Sequence, residues 1–295
     1  MSRTRKSTLA ERIAAAADLA PAERRVAEYF SKAETQIAFL PVGKIAQTLG
    51  VSTATVVRTA QALGYAGLPD LKTELQEKAL HSWTPPTTRI EHSLDELTPD
   101  IEGFTEQSMR ICADRIELAA RSVPDDDVRH AVQLLGGAAR TVIYSNPTFR
   151  SITEYFAHGL RRFGRPAVLI GRDLGQTPDD LLDLASDDAV LVVAYAQVNP
   201  LVETVLDRAR EVQAPSVLVT DVLALALQGR YTVALTAPAG DLDMFPTATV
   251  PLALLETLLL AIGSLDRART RSALAKRDEL RIKLDPHVWP SQPGA

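Results

Sequence analysis

The stretch "GVSTATVVRTAQ", Gly50 to Gln61, decides how the first part of the chain is read. A glycine and a valine turn a corner. Four small residues follow, and an arginine then sits beside two valines. A helix-turn-helix needs a small residue where its two helices touch, a glycine or similar in the turn, and apolar residues at set offsets. Counting from Val42, Ala46 is the small contact, Gly50 the turn, Val51 the plug and Val56 the anchor of the second helix. Leu49, Ala60 and Leu63 continue the buried face. Ser52 is placed to cap the second helix, because its hydroxyl can accept from the first free N–H groups.

That register turns Ser52, Thr53, Ala54, Val57, Arg58 and Gln61 away from the core. In a DNA reader the N-terminal part of such a helix enters the major groove. Arg58 can then donate to a guanine edge and Gln61 to an adenine, while Thr53 or the Val57 methyls meet thymine. Ser52, Thr55 and the helix N-terminus are placed to grip phosphate. Lys44 and Lys72 are further phosphate contacts. The same spacing also fits an ordinary helical hairpin in which Arg58 is a solvated charge.

Outward from this stretch, residues 7–80 read as helices. Leu9, Ile13, Ala16 and Ala17 share one face of a first helix. Pro21 opens a second over 21–32, with Val26, Tyr29 and Phe30 apolar. Short helices follow at 42–49, 53–63 and 68–81. Residues 82–100, with Pro85, Pro86 and Pro99, read as a linker. A helix is expected over 101–121, and Pro124 starts another that ends near Gly136-Gly137. The pattern then changes. "TVIYS" (141–145), "PAVLIG" (166–171), "AVLVVAYA" (189–196), "PSVLVTD" (215–221) and "YTVALT" (231–236) are continuous apolar runs, separated by helices or crossovers. Such runs predict a parallel sheet covered on both faces. A long apolar helix at 249–264 and a charged one at 266–284 close the chain.

The expected fold class is therefore α/β: an all-α helix-turn-helix domain, then an α/β/α sandwich around a five-stranded, mostly parallel sheet. The expected boundaries are 1–81 for the helix-turn-helix domain, 82–124 for a linker and connecting helix, 125–285 for the sandwich and 286–295 for a flexible tail.

Composition narrows the function classes. The 295 residues are 46% apolar and 23% charged, enough to bury ordinary cores. The single cysteine, Cys112, excludes an internal disulfide framework and reads as a small buried hydrophobe. The N-terminus lacks the long apolar core of a signal peptide. The longest apolar run, 250–263, holds Pro251, Glu256 and Thr257 and is too short to span a membrane. A cytoplasmic protein with no membrane partner is expected. Residues 1–80 hold 11 Lys and Arg against 8 Asp and Glu, or +3; with a total of −5, residues 81–295 carry −8. A cationic head on an acidic body suits DNA binding by the head.

Residues 41–79, "PVGKIAQTLGVSTATVVRTAQALGYAGLPDLKTELQEKA", with the preceding "AERRVAEYF" (22–30), resemble the N-terminal domain of RpiR-type transcriptional regulators. "VSTATVVR" (51–58) and "LGYAGLPDLK" (63–72) carry most of the likeness. The resemblance implies a sugar isomerase (SIS) domain behind the head, which dimerises and binds a phosphorylated sugar. Thr59, Gln61 and Ala62 stand where that family often has aromatic or basic residues, which implies fewer phosphate contacts and a shallower salt dependence.

The resemblance further implies a Gly-x-Gly-x-Ser loop after the first strand and a Ser-x-Ser-Gly loop after the third. Here the loops are "SNPTFRS" (145–151) and "AYAQVNP" (194–200); the glycines are gone, and Ala194 and Ala196 replace the serines. Three readings stay open. The crevice still holds an anion through other groups, or its ligand is not phosphorylated, or it binds nothing and the domain only dimerises. The effector-binding candidates are Ser145, Asn146, Thr148, Arg150, Ser151, Gln197, Asn199 and Glu256. Pro147 and Pro200 sit where a missing N–H costs little. Tyr195 can simply pack on the next helix.

SIS isomerases use a carboxylate or histidine as base, and His158, Glu154, Glu203 and Glu256 are the residues that could serve. The first three lie on amphipathic helices, where solvated faces explain them. Glu256, among leucines, is expected to line the pocket or meet a buried partner, because an unpartnered buried carboxylate is costly. No metal-ligand spacing, nucleophile elbow or phosphate-binding Walker loop occurs, so no catalytic residue, metal or cofactor is expected. The reading is a ligand-responsive regulator that binds a double-stranded operator as a homodimer or homotetramer. A sugar-phosphate isomerase and a ligand-blind dimeric repressor are the alternatives.

Overall fold

The computed structural model describes residues 8–16, 18–81, 85–95, 102–239 and 247–284. They fall into two compact units. One is a helical head up to Val123, which takes in the strip beginning at Thr236. The other is an α/β body of Pro124–Leu235 and the residues from Thr247 on.

The head begins with α1 (Leu9–Ala15), started by a capping box: Glu11 N–H donates to Thr8 Oγ1 and Thr8 N–H to Glu11 Oε2. α2 (Pro21–Lys32) opens on its proline. α3 (Glu34–Phe39) follows, then α4 (Val42–Leu49), α5 (Thr53–Ala62), α6 (Leu68–His81), α7 (Pro86–Asp95) and α8 (Phe104–Ser122). Val26, Phe30, Ile37, Ile45, Val56, Ala60 and Leu71 are fully buried and form its core. α5 packs on α2 and α4, and α3 on α6.

Several sequence expectations differ from the structure here. α1 stops at Ala15, so Ala16 follows it as the cap and Ala17 lies outside the described residues. α3 was not foreseen; it spans only six residues, too few for helical periodicity to register. Residues 86–95, read as linker, form α7, because Pro86 stands at the helix start, where proline costs nothing. Cys112 is half-buried rather than buried. The tail expected over 286–295 lies outside the described residues.

The body opens with α9 (Asp125–Gly137). β1 (Thr141–Ser145), α10 (Arg150–Arg162), β2 (Ala167–Leu169), α11 (Thr177–Leu182), β3 (Ala189–Val193) and α12 (Pro200–Glu211) follow. β4 (Ser216–Thr220), α13 (Leu223–Ala226), β5 (Val233–Thr236), α14 (Thr249–Leu265) and α15 (Arg267–Leu284) complete it. The sheet order is β2-β1-β3-β4-β5, and β1 pairs parallel with both β2 and β3, as β3 does with β4. Every residue of β1, β3 and β4 is buried, as the unbroken apolar runs require. The run 141–145 matches β1, while the other expected strands overran: β2 and β4 at both ends, β3 at its carboxyl end and β5 at its amino end. Ala194 and Tyr195 lie past the end of β3 and are buried, because apolarity reports burial rather than strand; Ala194 N–H still donates to the Val219 carbonyl at 3.1 Å.

The order in which strands are added reverses between β1 and β3. From β1 the chain steps outward to β2, and from β3 the other way to β4. Right-handed crossovers therefore set α10 and α12 on opposite faces of the sheet. α14 packs on both α9 and α10, while α12 lies against β1, β3 and β4. Gly159 lets α10 approach α14; a Cβ there would run into Leu259. At the amino ends of β1 and β3, Arg140 donates from Nε (3.1 Å) and Nη2 (2.6 Å) to the two oxygens of the buried Asp188. α15 has no buried residue; Arg269 ties it to the Gly164 carbonyl from Nε (3.1 Å) and Nη2 (2.8 Å).

Candidate functional site

In the head, α4 ends at Gly50, whose φ of +62° is the left-handed turn that glycine takes without strain. Val51 N–H then returns to the Ala46 carbonyl at 3.0 Å. Ser52 caps α5: its Oγ accepts from Thr55 N–H at 3.1 Å and lies 2.9 Å from the Thr55 hydroxyl. Within α5, Val56, Thr59 and Ala60 are completely buried, with Thr59 Oγ1 donating to the Thr55 carbonyl. Ser52, Thr53, Arg58 and Gln61 are exposed; Thr55 and Val57 are half-buried. Lys44 on α4 is exposed, and Lys72 on α6 is half-buried, with burial lowering its pKa. The structure therefore gathers Ser52, Thr53, Thr55, Val57, Arg58 and Gln61 on one helix. Leu49, expected on the buried face, is half-buried.

Arg12 was not foreseen as part of this site. Its Nη1 donates to the carbonyls of Leu63 (3.1 Å) and Gly64 (3.0 Å), which close the carboxyl end of α5. Its guanidinium stacks 4.4 Å above the centroid of the Tyr65 ring. Gly64 has φ +84°, and a Cβ there would lie 2.9 Å from that Nη1. Only the Thr8-to-Glu11 capping signature hinted that this helix mattered; which carbonyls Arg12 reaches is a tertiary fact.

In the body, the carboxyl ends of β1 and β3 meet at the point where strand order reverses, the crevice where open α/β sheets hold ligands. Ser145 is buried and its Oγ lies 3.0 Å from the Thr153 hydroxyl. Asn199 caps α12, accepting from Val202 N–H at 2.9 Å. Its Nδ2 donates to Asn146 Oδ1 (3.1 Å) and lies 3.2 Å from the Tyr144 hydroxyl oxygen. Asn146 Nδ2 in turn reaches the Tyr195 carbonyl at 3.4 Å. The two loops are thus bridged by uncharged side chains. The Tyr144 ring covers Gly171, where φ is +74° and a Cβ would stand 2.6 Å from the ring.

Ala196, which is not a glycine, takes the left-handed φ of +68°. Its N–H donates to Asp221 Oδ2 at 3.1 Å, and Leu223 N–H donates to Asp221 Oδ1 at 3.1 Å. Asp221 was missed by the sequence reading; its one signal is a carboxylate closing the apolar run "VLVTD". Tyr195 is 2% exposed and packs tilted on Phe149, its ring centroid 5.2 Å away. Among the described residues its hydroxyl has no hydrogen-bond partner. Burial, then the Asp221 charge, holds its pKa well above the ordinary tyrosine value.

The other effector candidates are spread more loosely. Arg150 is half-buried and donates from Nη2 to the Ile170 carbonyl at 3.3 Å. Thr148, Ser151 and Gln197 are exposed. Glu256 contradicts its expectation. It lies on an exposed face of α14 and accepts from the Tyr155 hydroxyl at 3.2 Å, because its position in the helix faces solvent despite the leucines beside it. The residues considered as a base do not converge: Glu203 pairs with Arg230 at 3.3 Å, and His158 is exposed on α10. The described residues contain no group of three or more His, Cys, Asp or Glu that could hold a metal, and no single described helix is long and apolar enough to cross a membrane.

Comparison with known proteins places these features. Residues 8–82 match the model of the helix-turn-helix domain of the rpiR family. The bifunctional protein glk of Burkholderia orbicola is 28% identical over 272 residues, covering 91% of this chain and 41% of its own length. The chain thus spans less than half of that relative. The sugar isomerase domain of an RpiR transcription factor from Sphaerobacter thermophilus superposes with a TM-score of 0.56 at 15% identity, over 60% of this chain and 99% of its own. Vibrio vulnificus NanR, complexed with ManNAc-6P, covers 94% of this chain and 98% of its own with a TM-score of 0.54 at 19% identity.

Proposed function

We propose that this chain, an rpiR-family helix-turn-helix domain over residues 8–82 ahead of a body with the sugar-isomerase fold, is a DNA-binding transcription regulator that senses a sugar-related metabolite. The observation that carries the reading is the division of α5. Val56, Thr59 and Ala60 are wholly buried against the head, while Ser52, Thr53, Arg58 and Gln61 of the same helix stand exposed. That is the arrangement of a helix held by its back and offered to a groove. Arg58 reads guanine, Gln61 adenine, and Thr53 and Val57 thymine methyls, with Ser52, Thr55, Lys44 and Lys72 toward phosphate.

Two heads on a two-fold operator would contact half-sites about 34–36 Å apart, so the body acts as a dimer or a dimer of dimers. The bound ManNAc-6P in NanR supports a sugar-related effector for the crevice between β1 and β3. There Asn146, Asn199, Ser145, Thr148, Arg150, Ser151 and Gln197 are the candidate groups; Glu256 is not one, since it faces Tyr155 on α10. A regulator rather than an isomerase also suits the scatter of His158, Glu154 and Glu203, and a cytoplasmic location suits access to DNA. A ligand that prefers one spacing of the heads shifts operator affinity by that preference and no more.

The test is binding to the DNA upstream of the gene itself, with wild type beside Arg58→Ala. Losing a bidentate base contact costs about 1–3 kcal/mol and relaxes sequence preference at that base. The reading fails if the wild type shows no preference over scrambled DNA.

A further inference from the structure

The loop after β3 already holds an anion, and the anion is the protein's own. Ala196 adopts the left-handed conformation that turns successive N–H groups into an anion-binding concavity, and its N–H is given to Asp221 Oδ2 at 3.1 Å. The second carboxylate oxygen takes the Leu223 N–H. Several neighbouring donors are spent as well. Gln197 N–H goes to the Tyr195 carbonyl, Val202 N–H to the Asn199 side chain, and Pro200 has none. Across the crevice Pro147 lacks an N–H and Phe149 N–H is bound to the Asn146 carbonyl. Arg150 turns one nitrogen toward the Ile170 carbonyl, 3.3 Å away.

We propose that Asp221 is a specificity-determining residue whose carboxylate fills the anion position of this crevice, so that phosphorylated ligands are excluded and the effector is an unphosphorylated, hydroxyl-rich molecule. This rests on the crevice being the effector site of a regulator. A phosphate dianion would have to displace Asp221 from two N–H groups or lie beside its charge, and like charges at such range oppose each other strongly. Sugar hydroxyls meet no such opposition: they donate to a carboxylate and exchange hydrogen bonds with amides such as Asn146 and Asn199 and with the Tyr144 hydroxyl. The exposed Gln197, Thr148 and Ser151 at the rim are equally uncharged.

The experiment titrates the full-length chain with inorganic phosphate, glucose 6-phosphate and glucose, by calorimetry, for wild type and Asp221→Asn. The substitution keeps an oxygen to accept from Ala196 N–H and removes the charge. Wild type should show no phosphate binding, and the variant should bind inorganic phosphate or glucose 6-phosphate at least about tenfold tighter than wild type. Wild type binding glucose 6-phosphate more tightly than glucose overturns the proposal. So does a folded variant that gains no phosphate affinity. Circular dichroism checks the variant's fold, and if it misfolds, the wild-type comparison of the two glucose probes decides alone. Operator binding by the wild type, run in parallel, tests the regulator reading separately, since exclusion of phosphate can hold or fail whether or not DNA is bound.

Discussion

Among the described residues, the buried Tyr195 hydroxyl has nothing to bond. Its pKa is raised above the ordinary value of 10.0, first by burial and then by Asp221. A group whose folded pKa lies above its unfolded one contributes stability that is complete below the unfolded value and is lost as pH climbs past it. Stability should therefore fall above pH 10, with Tyr144, also raised by burial, contributing to the fall. Tyr195→Phe removes an unpartnered buried hydroxyl, so it should be neutral or stabilising by about 1 kcal/mol and flatten that alkaline loss. Melting curves at pH 8 and above 10 check this; an equal alkaline decline in both proteins would refute it. The same scale shows the limit of reading side chains from sequence. Arg58 and Gln61 could be placed from helical offsets. Glu256 could not, because leucines on either side in sequence say little about which way one helical position turns.

At the scale of elements, α5 owes its carboxyl end to a residue more than fifty positions earlier. Arg12 binds the carbonyls of Leu63 and Gly64 and lies over Tyr65. A cation at a helix carboxyl end also meets the favourable end of its dipole. Arg12→Ala should lower head stability by about 1–2 kcal/mol and weaken operator binding while leaving base preference intact. Chemical denaturation and a binding series over single-base operator variants would show it. A changed base preference would mean that Arg12 reads DNA itself. Helix α4 and helix α2 were placed to the residue from sequence, because proline, glycine and a strong apolar stripe mark their ends. α3 and the true ends of the strands after β1 were not, since short elements and buried loop residues share the composition of longer ones.

At the scale of the molecule, residues 1–80 carry +3 and residues 81–295 carry −8, so electrostatic attraction to DNA is modest and local. With Lys44, Arg58 and Lys72 as phosphate-side or groove cations in each head, a dimer neutralises about six phosphates at most, and log K should fall with log salt at a slope no steeper than about −5. Filter binding from low to moderate salt measures it. A slope near −10 would show that cations beyond these three, the exposed arginines of α15 among them, meet the DNA.

The architecture was legible because local rules suffice for it. Turn glycine, capping serine and apolar offsets dictate a helix-turn-helix, and unbroken apolar runs between helices dictate a buried parallel sheet. The crevice was legible only as a location. Which groups meet there depends on strand order, on a left-handed alanine and on a carboxylate arriving from the next strand. Hydrogen bonds across 25 or 50 residues leave no periodic trace in a sequence, so only the tertiary structure decided that the loop "AYAQVNP" is already answered by Asp221 and by the Asn146–Asn199 bridge.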